Sequence, residues 1–144
     1  MNSLTASTYN PEDLIPAFVK MYGGNADDVQ IYSSPARINI IGEHIDYNGG
    51  KVFPAAINKY LYVAIRQRKD TKIIYNDVRF PGTFEFDVND DFKYDKKNDY
   101  ANYLNGILSQ IKAKGYRLNN GFEILMASNI PAGGGISSSS ALEC

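Results

Sequence analysis

The run Phe122-Glu123-Ile124-Leu125-Met126-Ala127 leads into Pro131-Ala132-Gly133-Gly134-Gly135-Ile136-Ser137-Ser138-Ser139-Ser140-Ala141, and no other stretch constrains the fold as strongly. A strand enters, a helix starts at Ser137, and three consecutive glycines between them let the backbone take positive φ values and approach a ligand closely. Successive N–H groups of such a loop can point at one anion. The helix start adds its unpaired N–H groups and positive dipole end, and the serine hydroxyls add donors. The pattern fits a phosphate cradle. By composition alone it fits a flexible linker equally well, but a linker does not need a strand before it and a helix after it. No Lys-Ser or Lys-Thr follows the glycines, so this is not a Walker loop, and a cation for the phosphates has to come from elsewhere.

A second segment carries chemically suggestive residues. In Ser34-Pro35-Ala36-Arg37-Ile38-Asn39-Ile40-Ile41-Gly42-Glu43-His44-Ile45-Asp46-Tyr47-Asn48-Gly49-Gly50, a short β run carries Arg37 and Asn39, and Gly42 opens a turn into Glu43, His44 and Asp46. Two carboxylates and the chain's one imidazole within four residues can donate and accept hydrogen bonds to several hydroxyls at once, as sugar recognition requires. A solvated turn is the plainer reading of the same residues. Glu43 and Asp46 beside a single histidine make a poor transition-metal site.

The remaining pattern predicts a mixed α and β domain. Asn10-Pro11 starts a helix over about 11–22, with Leu14, Ile15, Phe18, Val19 and Tyr22 at helical spacing and Gly23-Gly24 as the stop. Residues 29–33, 37–41 and 57–67 read as strands, followed by an extended pair at 71–76 and 83–88 with Pro81-Gly82 as the turn. Asn89–Asp99, with four aspartates and three lysines, reads as a solvated loop. A second helix carries Ala101, Leu104, Ile107, Leu108 and Ile111, and Gly115 ends it. The order implies antiparallel pairing early, a crossover helix late, and one domain with no internal linker. Its last helix runs for only about two turns, without the element it should pack against.

Composition removes other classes. The 144 residues carry 15 Lys+Arg and 16 Asp+Glu, a balance unlike a phosphate-tracking nucleic-acid surface. One cysteine, Cys144, and one histidine exclude an internal disulfide and a Cys/His metal cluster. No segment has the apolar length of a membrane span, and Met1–Thr8 lacks the pattern of a secretory signal, so a cytoplasmic setting is expected.

Arg37-x-Asn39-x-Ile41-Gly42-Glu43-His44-x-Asp46-Tyr47-Asn48-x-Gly50 resembles the galactokinase signature. Pro131-x-Gly133-x-Gly135-Ile136-Ser137-Ser138-Ser139 resembles the nucleotide-binding motif of the wider GHMP kinase family, and the separation of about 95 residues also matches. The resemblance implies an α+β fold, a mixed sheet with helices of the ribosomal protein S5 domain 2-like type. Residues 1–144 would be the N-terminal domain of such a kinase, incomplete at its C-terminus and packing against the C-terminal remainder of the same polypeptide.

The resemblance also implies roles. ATP would be held at Gly133, Gly135, Ser137 and Ser138, and Mg²⁺ at Ser139. Glu43, His44 and Asp46 would bind galactose hydroxyls. Arg37 would bind the sugar near its anomeric hydroxyl and act catalytically beside the transferred phosphate, where a permanent cation stabilises developing negative charge. A carboxylate for the attacking hydroxyl and a second Mg²⁺ ligand are implied from later in the family's chains. This chain alone is therefore expected to have little or no kinase activity. Ala36, where the family usually has glycine, Ser140 for alanine and Ile136 for leucine depart from the pattern without removing a charged group. A kinase for N-acetylgalactosamine, a non-catalytic galactose and ATP sensor, and a plain α/β module are the other readings.

Overall fold

The computed structural model describes residues 10–42, 44–131 and 138–143, with the backbone alone at Asp46. Asn10 Oδ1 accepts a hydrogen bond from the Glu12 N–H at 3.2 Å, a 3₁₀ turn spans Pro11–Asp13, and α1 follows over Leu14–Tyr22. Gly23, at φ 71°, ends it with its N–H donating to the Val19 carbonyl at 2.8 Å.

Among the described residues, five strands form one sheet: β1 (Gln30–Ile41), β2 (Phe53–Gln67), β3 (Lys72–Asp77), β4 (Phe80–Asp87) and β5 (Phe122–Ser128). Their spatial order is β1-β2-β5-β3-β4. All neighbours pair antiparallel except β5 with β3, which are parallel. That parallel pair requires a crossover, and α2 (Ala101–Ala113) supplies it.

The unbroken apolar run of β5 follows from its central place. Ile124 and Met126 face a core with Leu61, Tyr75, Ala101, Ile130 and Ala141, under α2 and α3 (Ser138–Glu143). Leu125 and Ala127 face Leu14 and Phe18 of α1 on the other side. A strand covered on both faces has little use for alternating polar residues. Among the described residues, no helix is long and apolar enough to cross a membrane.

Three local expectations are corrected. Residues 29–33 and 37–41 belong to one strand, β1, because the irregularities in its pairing with β2, between Pro35 and Arg37 and between Asn39 and Ile41, bend the ladder without ending it. The turn between β3 and β4 lies at Val78-Arg79, where Asp77 Oδ1 accepts from the Arg79 N–H at 2.8 Å and Asp77 Oδ2 pairs with the guanidinium at 2.8 Å. Pro81 and Gly82 sit within β4, an edge strand, where a missing N–H is tolerated. Finally, the last helix has its packing partners within the chain. Ala141 is buried in the same cluster as Ala36 of β1 and Leu61 of β2.

Candidate functional site

Arg37 sits at the first pairing irregularity of β1, opposite Ala56. The preceding Ala36 has its methyl fully buried in the core beneath α3, where it fills a packing position. Arg37 is half-buried, and its Nε is enclosed with no hydrogen-bond partner among the described residues. A buried guanidinium N–H without a partner costs free energy unless an acceptor meets it.

After β1 the chain turns sharply. Gly42 has φ 103°, and a β-carbon there would lie 2.8 Å from Val52 Cα, so both the conformation and the space select glycine. The Gly42 carbonyl accepts from the Ile45 N–H at 3.1 Å, and the Ile45 carbonyl accepts from the N–H groups of Asn48 and Gly50 at 3.0 and 3.1 Å. Within this turn His44 adopts φ 59°. Its carbonyl accepts from Asn48 Nδ2 at 2.9 Å, and its Nδ1 lies 2.8 Å from Tyr47 Oη. The backbone of Asp46 opens the 3₁₀ turn Asp46–Asn48. Glu43 lies outside the described residues. His44 and Asp46 are thus carried on one turn, directly beyond the strand that bears Arg37.

The glycine-serine segment is anchored at its entrance. Ser128 Oγ donates to the Tyr60 carbonyl at 3.1 Å and accepts from the Ile130 N–H at 3.0 Å. Asn129 Oδ1 accepts from the Tyr60 N–H at 2.7 Å, while the Asn129 N–H donates back to the Tyr60 carbonyl at 3.1 Å. Gly133, Gly135 and Ser137 lie outside the described residues. The helix start expected at Ser137 is observed from Ser138, and Ser138 and Ser139 form its first turn. Through the contact of Ala141 with the Ala36 cluster, α3 brings the serine end of one motif onto the strand that begins the other.

Sequence reasoning missed two features. The clamp of Ser128-Asn129 on Tyr60 was signalled only by a polar pair after an apolar run. The Tyr47 and Asn48 contacts to His44 were signalled only by their spacing of three and four residues. At the opposite end of β5, Glu123 accepts from Arg66 Nη2 and Arg68 Nη1, each at 2.6 Å. Arg68 also pairs with Asp70, which holds that exposed carboxyl down at about 2. These charges satisfy one another and lie away from both motifs.

A family model described as the galactokinase galactose-binding signature matches residues 16–67, and one described as the GHMP kinases N terminal domain matches residues 102–144. The chain is 43% identical over 128 residues to a galactokinase of Clostridium beijerinckii, covering 88% of this chain and 32% of that protein. It is 39% identical over 134 residues to a galactokinase of Bacillus subtilis, covering 92% and 34%. Among solved structures, the galactokinase of Lactococcus lactis complexed with galactose superposes with a TM-score of 0.84 at 39% identity, covering 92% of this chain and 34% of that one. A mevalonate kinase of Methanococcus jannaschii, with a TM-score of 0.65 at 21% identity and coverage of 79% and 37%, shares the fold. The chain spans about a third of the length of these relatives.

Proposed function

Because the chain belongs to the galactokinase branch of the GHMP kinase family, we propose that the polypeptide carrying it transfers the γ-phosphate of ATP to the C1 hydroxyl of galactose, giving galactose 1-phosphate and ADP. Residues 1–144 then serve as the N-terminal domain of that kinase, with the remainder of the polypeptide as packing partner and the cytoplasm as the setting where ATP is met. The observation that carries this reading is the packing of α3 on β1, which joins the serines after the glycine loop to the strand of Arg37.

The residues fit the groups they would hold. Arg37 has a buried Nε without a partner among the described residues, suited to an anion brought to that strand. Bound ATP would supply the phosphoryl group, and Mg²⁺ would neutralise charge on its oxygens. Gly133, Gly135, Ser137 and Ser138 would bind the phosphates through N–H and O–H donors, and Ser139 would contribute a hydroxyl oxygen to the metal. Glu43, His44 and Asp46 would orient the sugar by its hydroxyls. Arg37 would stabilise charge developing between the C1 oxygen and the phosphoryl group, an effect strengthened where water is excluded.

The test is ADP release by the full-length polypeptide with ATP and Mg²⁺, run with galactose, N-acetylgalactosamine and no sugar. Galactose-dependent turnover is expected, with Arg37→Lys lowering kcat roughly 10²- to 10³-fold because a point charge does not replace the planar fork. Binding of both ligands without turnover would make the polypeptide a sensor, and binding of neither would leave a plain α/β module. The 144 residues alone are expected to show little or no turnover, since the carboxylate for the attacking hydroxyl is implied from outside them.

A further inference from the structure

We propose that Tyr47 is a positioning residue: its hydroxyl, 2.8 Å from His44 Nδ1, fixes the imidazole so that Nε2 carries the proton and faces a sugar oxygen as a donor. The ligand's identity rests on the galactose reading above, while the contact between the two side chains stands on its own.

Packing does not account for Tyr47. It is 72% exposed, so its ring contributes little to the core, and an apolar ring left in water needs another reason to be held in one place. The geometry supplies one. The rings of His44 and Tyr47 meet edge-on, with centroids 6.0 Å apart and planes at 69°, and the phenol oxygen lies 2.8 Å from the imidazole nitrogen. His44 is itself constrained, with φ 59° in the left-handed region that non-glycine residues seldom enter. Its carbonyl is held by Asn48 Nδ2 at 2.9 Å, so residues three and four positions on grip the ring and the backbone of one histidine. Such an over-determined conformation is characteristic of a functional turn.

The chemical consequence concerns tautomers. A neutral imidazole has one donor and one acceptor nitrogen, and the partner of Nδ1 decides which role falls to Nε2. A phenol hydroxyl donates well, so Tyr47 donating to Nδ1 leaves the proton on Nε2. A sugar hydroxyl can both donate and accept, so a protein site discriminates among sugars only if its own groups have fixed roles. Tyr47 gives His44 that fixed role without touching the ligand.

The chain's single histidine makes the test direct. With ¹⁵N-labelled histidine at alkaline pH, the two ring-nitrogen shifts report the tautomer. The unsubstituted chain should show proton occupancy on Nε2, and Tyr47→Phe should move both shifts toward a tautomer mixture without changing the thermal transition. In the full-length polypeptide the same substitution should raise KM for galactose roughly tenfold while kcat changes far less, as expected for loss of one oriented hydrogen bond made equally before and during reaction. Unchanged shifts with unchanged KM would overturn the inference, and so would a fall in kcat tracking a lowered melting temperature, which marks a merely structural role. If the full-length polypeptide shows no galactose-dependent turnover, the galactose reading falls, and the imidazole shifts still decide whether Tyr47 holds His44.

Discussion

Gly42 shows how much one residue governs at the entrance to the candidate site. At φ 103° with Val52 packed against the place of a missing β-carbon, the turn that carries His44 and Asp46 depends on glycine twice. Gly42→Ala is expected to cost about 1–3 kcal/mol from left-handed backbone strain and added crowding. Urea unfolding checks this, and a midpoint equal to the parent's would show that the turn relaxes freely. That Gly42 opens a turn was legible in the sequence, because glycine between a β run and a polar cluster has few other uses. The contact of Tyr47 with His44 was not, since a spacing of three residues brings side chains together in some turns and separates them in others. Ala36 was legible only as a departure from a family pattern, and its burial under α3 explains why a methyl is accepted there.

At the level of elements, propensity located helices and strands well and their junctions less well. The helix and strand cores match because the apolar spacing in each is set by burial against a neighbour. The β3–β4 turn was misassigned to Pro81-Gly82 because both residues are common in turns, whereas the Asp77 side chain instead closes the turn three residues earlier by gripping the Arg79 N–H. The junction that matters for the candidate site is the exit of β5. Ser128 Oγ accepts from the buried N–H of Ile130 and donates to the Tyr60 carbonyl, fixing where the glycine segment begins. Ser128→Ala leaves that N–H without its partner and should destabilise the fold by about 1–3 kcal/mol. Equilibrium unfolding measures the loss. A loss under a few tenths would show that Asn129 alone secures the exit.

For the whole molecule, the distribution of exposed apolar side chains is uneven. Ile38, Ile40, Ile41, Val52 and Phe53 are all more than a third exposed at the same end of β1 and β2, and among the described residues β1 is an edge strand of the sheet. Exposed apolar clusters beside a free strand edge favour association. The 144-residue chain is therefore expected to self-associate as its concentration rises, and Ile41→Lys to suppress this. Sedimentation velocity decides it, and a concentration-independent monomer would refute it.

By itself, the sequence determined a mixed α and β domain, β5 as a strand, and the two motifs that carry the family resemblance. These depend on local spacing: alternation, helical period and the backbone freedom of glycine act over a few residues and can be read along the chain. Only the tertiary structure decided that α3 packs on β1, so that Ala141 meets Ala36 and the serine helix joins the strand of Arg37. Only it decided that Arg37 Nε is buried without a partner among the described residues, and that Tyr47 grips His44. The reason is physical. Such contacts join residues through the packing of a shared core, and burial depends on every element that covers a position, which no window of sequence contains.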